Sequence, residues 1–292
     1  MKKGFPVYDI CTLSEQQQHD LQIDRFGHYL DQHKNLHFPH KHNFYHLVLF
    51  TEGKGSHAID FKRFEIQTGQ IYFMIPGQVH SWDFEDAMDG YIINFSPAFF
   101  NSYLLRADYP ETLPFFSGNI DDAVINLTEA ELAAVRAIME AIVKENDKPD
   151  NLSLDMVRVL MVQLFTQLTR LHTGTAKATA PSYNQTLLKN FQRLIEQNFS
   201  KLKLPKDYAE LLYITPNHLN ALCNDILGMS AGEVIRNRVV LEAKRLLINQ
   251  NLTIADIAGQ LNFTDNSYFT RFFRKQVSLT PDEFRKNNLI YK

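Results

Sequence analysis

The sequence predicts a chain in two parts. An N-terminal all-β barrel or double-sheet roll with a helical segment is followed by an all-α C-terminal part. Three observations carry this. Short apolar and aromatic runs, separated by turn residues, fill Phe44 to Phe95. Helical periodicity replaces them after Thr128. Further on, a pattern of two short helices around a tight turn occurs twice, 49 residues apart.

The β runs are Tyr45–Thr51, His57–Phe61, Phe64–Gln67, Ile71–Ile75, Ser81–Phe84 and Tyr91–Phe95. Gly, Pro and Asp stand between them, and Pro76-Gly77 punctuates the middle. Branched and aromatic runs at this spacing predict antiparallel strands closed into a small barrel or roll, not a parallel α/β sheet. Thr128–Lys144 and Leu152–Leu171 then carry the helical period. In the second, Val157, Met161, Leu164, Leu168 and Leu171 make a short seam. It suits either a dimer contact or packing on the helix's own domain. Thr173–Ser182 is small, polar and aperiodic, and predicts a linker between domains at 1–172 and 183–292.

Charge divides at the same place. Residues 1–182 hold 15 basic and 23 acidic groups, a balance of −8, whereas 183–292 hold 15 and 10, a balance of +5. A basic half beside an acidic one points to a nucleic-acid-facing domain. Histidine divides too: eight of eleven lie between His28 and His80.

In the C-terminal part, Tyr208–Leu212 and Thr215–Leu219 flank one turn. Ile257–Leu261 and Asp265 onward flank the other, with Asn262 where the backbone turns left-handed. Thr215 and Asp265 suit helix N-caps, and Pro216 a first helical turn. A long helix, Ala231–Asn249, joins the copies into a tandem helix-turn-helix. The second copy turns Asn266, Ser267, Thr270, Arg271, Arg274 and Lys275 outward over a Phe269, Phe272, Phe273 stripe. Amides, hydroxyls and guanidinium groups are what base edges and phosphates require. The first copy offers Asn217, His218 and Asn220, with no Arg or Lys over Thr215–Leu227.

Other classes find little support. Two cysteines cannot make a disulfide scaffold, and Gly53 and Gly55 do not form a phosphate-cradling loop. No apolar run approaches membrane-spanning length, and the N-terminus lacks the apolar core of a signal peptide. A cytoplasmic protein is expected.

Ile257-Ala258, Asn262-Phe263, Ser267-Tyr268-Phe269, Arg271-Phe272-Phe273-Arg274-Lys275 and Thr280-Pro281-Asp282-Glu283-Phe284-Arg285 resemble the signature of AraC-family transcription regulators. Asn262, Ser278 and Phe284 replace two usual glycines and a tyrosine, and Ala221-Leu222-Cys223-Asn224 stands where the family has Arg-x-Phe-Lys. The resemblance implies that each second helix enters a major groove of double-stranded DNA. His40-Lys41-His42, His46 and Gly53, then Gly69 and Pro76 to His80, resemble the two cupin motifs, with His46 in place of a glutamate. The fold implied is a cupin-like barrel with a helical dimerisation segment, then the tandem helix-turn-helix.

In cupin enzymes these positions hold a divalent metal, so a metalloenzyme with a helical appendage is the rival reading. The all-imidazole set, without a carboxylate, favours a ligand pocket with no metal and no cofactor. That pocket is expected to be lined by His40, His42, His46, His80, Phe44, Tyr72 and Trp82, with Phe38 beside them. The whole implies a regulator that binds a small-molecule effector in the barrel, works as a homodimer and meets RNA polymerase, activation being the commoner family outcome.

Overall fold

The computed structural model describes residues 7–10, 20–33, 36, 39–100, 109–148, 150, 152–173, 183–249 and 251–287. These fall into two compact units, one within residues 5–176 and the other within 177–292. The proposed linker and Phe38 lie outside the described residues, save for Thr173.

The first unit contains two five-stranded sheets. Its strands are β1 (Val7–Tyr8), β2 (Leu21–Arg25), β3 (His40–His42), β4 (Tyr45–Glu52), β5 (Gly55–Ile59), β6 (Lys62–Glu65), β7 (Gln70–Met74), β8 (Val79–Phe84), β9 (Asp89–Phe95) and β10 (Val124–Asn126). One sheet runs β1-β3-β8-β5-β6 and the other β10-β7-β4-β9-β2. Helix α1 (Phe26–Gln32) follows β2, and α2 (Glu129–Asn146) and α3 (Ser153–Thr173) follow β10. Thr128 and Glu131 close a capping box at the start of α2. The predicted His57–Phe61 run ends early, because Asp60 and Phe61 take positive φ in the β5–β6 turn.

Strand alternation explains the layering. Along β4, Tyr45, Leu47 and Leu49 face a core shared with α2 and α3. Val48 and Phe50 face the other way, into a core with Phe26, Ile59, Tyr72, Met74, Trp82 and Ile92. The β4 sheet is therefore buried on both faces, with the second sheet on one side and helices on the other.

The structure decides between the two readings of the α3 seam. Val157, Met161, Leu164 and Leu168 are buried in that first core, against β-sheet phenylalanines. The seam packs on its own unit, where it covers the helix-facing side of the sheet together with α2. A charge at Leu164 would disrupt this core and say nothing about association. The opposite edge of α3 carries Met156 and Val159, exposed by 47% and 45%, with Leu152, just before the helix, exposed by 73%.

The second unit is helical: α4 (Tyr183–Asn198), α5 (Pro205–Leu211), α6 (Pro216–Leu227), α7 (Ala231–Leu247), α8 (Ile254–Gln260), α9 (Asn266–Val277) and α10 (Pro281–Asn287). Thr215 caps α6 by accepting from the His218 amide, and Asp265 caps α9 by accepting from that of Tyr268. Tyr213 and Asn262, at φ 56° and 54°, make the two tight turns. Ser278, at φ 63°, ends α9 where a glycine is more usual.

Candidate functional sites

In the first unit, seven predicted lining residues come together. His40 and His42 lie on β3, Phe44 just before β4, His46 on β4, Tyr72 on β7, and His80 and Trp82 on β8; all seven are buried. Register places them in one band, since His40 pairs opposite His80 and His46 opposite Asn94. The ring centroids of His42, His46 and His80 stand 5.0, 5.1 and 5.2 Å apart, and His40 lies 4.2 Å from His80. His42 stacks on Phe44 at 4.4 Å, and Trp82 stands edge-on to His80 at 4.7 Å.

Two members of the cluster were not legible from motif spacing. His57, on β5 opposite Trp82, is fully buried, with Nε2 at 3.1 Å from His80 Nδ1. Asn94, on β9, receives His46 Nδ1 at 2.7 Å. The signal for both is strand alternation once register is known.

Hydrogen bonding sets the ring protons. His42 Nδ1 lies 2.9 Å from the Phe44 carbonyl, which can only accept, so the proton sits on Nδ1 and Nε2 presents a lone pair. Asn94 Nδ2 donates to Gln22 Oε1 at 2.8 Å, so its Oδ1 accepts from His46 Nδ1, and His46 Nε2 is likewise a lone pair. His42 Nε2, His46 Nε2, His57 Nδ1, His80 Nε2 and Trp82 Nε1 are buried with no hydrogen-bond partner. Desolvation, reinforced by neighbouring imidazoles, lowers the pKa of His42, His57 and His80 well below 6.5 and that of His46 to about 3. His42, His46, His57 and His80 are therefore neutral near pH 7. Among the described residues no three His, Cys, Asp or Glu side chains are grouped to hold a metal ion.

In the second unit, Asn266, Ser267, Arg271, Arg274 and Lys275 are exposed along α9, with Thr270 half-buried. Phe269 and Phe273 anchor the opposite face, and half-buried Phe272 packs 5.1 Å from Phe263. This face holds three cations and no carboxylate. Tyr268, 52% exposed beside them, is a further aromatic on the same helix. On α6, Asn217 and His218 are exposed, and the helix carries Asp225 but no cation. Asn220 is different: half-buried, its Oδ1 accepts from the Ala231 amide at 3.1 Å. That bond serves one of the free amides at the start of α7. Asn220→Ala is expected to cost about 1 kcal/mol of stability through that bond. A urea titration measures the loss, and DNA-base preference is expected to stay unchanged.

Sequence comparisons match a family profile within each unit. Residues 22–157 match the family profile described as an AraC-like ligand binding domain, and residues 208–287 match a helix-turn-helix domain. The chain belongs to the AraC family. Curated relatives include the HTH-type transcriptional activator RhaR of Escherichia coli, 24% identical over 252 residues, covering 85% of this chain and 87% of that one. RhaR of Yersinia pestis is 24% identical over 247 residues, covering 85% and 84%. Among solved structures, ToxT from Vibrio cholerae aligns over 91% of this chain and 98% of its own, at 14% identity and a TM-score of 0.45. This AraC-family protein is thus a DNA-binding transcription regulator that carries a ligand-binding domain, and its family is one of regulators rather than enzymes. No helix among its described residues is long and apolar enough to cross a membrane.

Proposed function

We propose that this AraC-family chain is a ligand-responsive transcriptional activator, acting as a cytoplasmic homodimer without enzymatic activity, with domains at 1–172 and 183–292. The observation that carries the reading is the set of five buried, unpartnered ring nitrogens between two sheets, in a chain that also displays the cationic face of α9. An unpartnered buried polar atom costs about 1–3 kcal/mol, so an effector that satisfies these atoms is stabilised by contacts the empty protein cannot make. His40, His42, His46, His80, Phe44, Tyr72 and Trp82 line that pocket, with His57 and Asn94 added. On α9, Asn266, Ser267, Thr270, Arg271, Arg274 and Lys275 contact double-stranded DNA, and Asn217 and His218 contact it from α6. Effector binding shifts the dimer geometry and so how the DNA-binding halves meet paired half-sites and RNA polymerase. The relatives named as activators support the sign of regulation.

Selection of genomic fragments by the full chain, followed by sequencing, tests the reading. Discrete sites upstream of promoters, with transcription raised from them, are expected; equal binding to unrelated duplex overturns it. The dimer contact has its own test. Leu152, just before α3, and then Met156, Val159, Gln163, Thr166 and Arg170 step by four and three along its exposed edge, which suits a second copy of the helix. Met156→Glu with Val159→Glu is expected to give folded monomers by sedimentation, since exposed substitutions alter stability by only about 0.5 kcal/mol. A dimer that survives both changes places the interface elsewhere.

A further inference from the structure

The two helix-turn-helix units share α7, but a side chain also joins them directly. Lys203 lies in the short segment between α4 and α5. Its Nζ donates to the Ser200 carbonyl at 2.8 Å and to the Leu261 carbonyl at 2.7 Å, 58 residues away. The same ammonium stands 5.0 Å from the centre of the Phe263 ring. Each contact has a different anchor. On the first unit's side, the Tyr208 hydroxyl donates to the Leu202 carbonyl at 2.9 Å, which ties the segment to α5. Tyr208 is buried with Leu219 and Leu222 of α6.

On the second unit's side, Leu261 closes the C-terminus of α8, where carbonyls lack helical partners and attract a cation. Asn262 follows at positive φ, and then Phe263, whose ring packs 5.3 Å from Phe269 and 5.1 Å from Phe272 of α9. A chain of contacts thus runs from the core under α6, through one ammonium, to the base of α9. Helix α7, on which helices of both units pack, is one bridge between them. The Lys203 contact lies off that helix.

We propose that Lys203 is a positioning residue that sets the spacing and angle between α6 and α9, and through them the number of base pairs between the two contacts on DNA. The inference rests on the reading that both helices face DNA. A lysine suits the role better than an apolar side chain, since it satisfies two carbonyls of different units at once. Its partial burial lowers its pKa by desolvation, in keeping with an ammonium held inside the joint.

The test is selection of DNA from a random duplex pool by the full chain, comparing wild type, Lys203→Met and Lys203→Arg. Wild type is expected to enrich a bipartite motif with one gap length. Lys203→Met is expected to accept gaps one base pair shorter and longer, and to bind the best wild-type duplex about tenfold more weakly. Lys203→Arg, which keeps a cation and two donors, is expected to restore the single gap. Spin labels at the exposed positions Asn224 and Gln276, in a Cys11→Ser background with Cys223 buried, give a second readout that needs no DNA. Their distance distribution is expected to be narrow in wild type and broad in Lys203→Met. An unchanged gap and an unchanged distance distribution in Lys203→Met overturn the inference, even if that variant melts earlier. A wild-type motif with a single contact block overturns the two-helix reading itself, and the inference with it.

Discussion

Acidification from pH 7 to about pH 5 is expected to destabilise the first unit strongly. Burial holds His42, His46, His57 and His80 neutral in the folded state, with His46 lowered to about 3. In the unfolded chain each ring takes up a proton near pH 6.5. The folded pKa lies below the unfolded one, so stability is full above pH 6.5 and falls as pH drops toward the folded value. The slope is about 1.4 kcal/mol per group per pH unit. For His46, lowered to about 3, this amounts to roughly 2 kcal/mol at pH 5, and His42, His57 and His80 act in the same direction. The contributions add because protons bind in the unfolded chain, where the rings do not meet. A domain is held by about 5–15 kcal/mol, so the loss is a sizeable share of it. Trp82, the single tryptophan, lies inside the cluster, so its fluorescence reports this unit alone. Urea midpoints followed by that fluorescence should drop steeply between pH 6.5 and 5. A flat profile would mean that the rings are solvated.

Removing the two α9 guanidinium groups together is expected to abolish most DNA affinity. Arg271 and Arg274 are exposed on one helix beside Lys275, while α6 has no cation to compensate. Each lost contact to a base or phosphate costs about 1–3 kcal/mol, so the double alanine variant should lose about 2–6 kcal/mol. If both side chains meet phosphates, the slope of log affinity against log salt should fall by about 1.8 units. Ala221→Arg, on the uncharged helix, is expected to do the reverse, raising affinity for every sequence and steepening the slope by about 0.9. Salt titrations on one selected and one unrelated duplex separate these effects. Equal losses from the α9 double variant and from Asn217→Ala, with unchanged slopes, would show that α6 does the gripping.

Five of the six strand runs were legible because branched and aromatic residues alternate along them between turn residues, whereas the Phe64–Gln67 run is displaced, the strand being Lys62–Glu65. Strand β3 was not legible, since His40-Lys41-His42 carries no apolar alternation, and β2 pairs only with β9, at an edge, with Gln22, Asp24 and Arg25 half-buried. The α3 seam shows a different limit. Periodicity reveals that a stripe is covered but not by what, and here the cover is the chain's own sheet. Asn220 reads as a surface amide on an amphipathic helix, yet its partner lies 11 residues on, at a helix start that only the fold brings near. His57 was missed because its neighbours in the cluster sit on other strands, and register decides which alternate residues point inward.

The β4 sheet, covered on both faces, brings two layers close together. His46 and Leu47 are consecutive residues, one among the imidazoles and the other against the helical layer that includes α3. Tyr72 and Phe73 repeat the arrangement on β7, as do Ile92 and Ile93 on β9. Chemistry on one side and the helix layer on the other are thus separated by a single peptide link, about 3.8 Å between α-carbons. The pocket and the helical layer are built on opposite faces of the same strands.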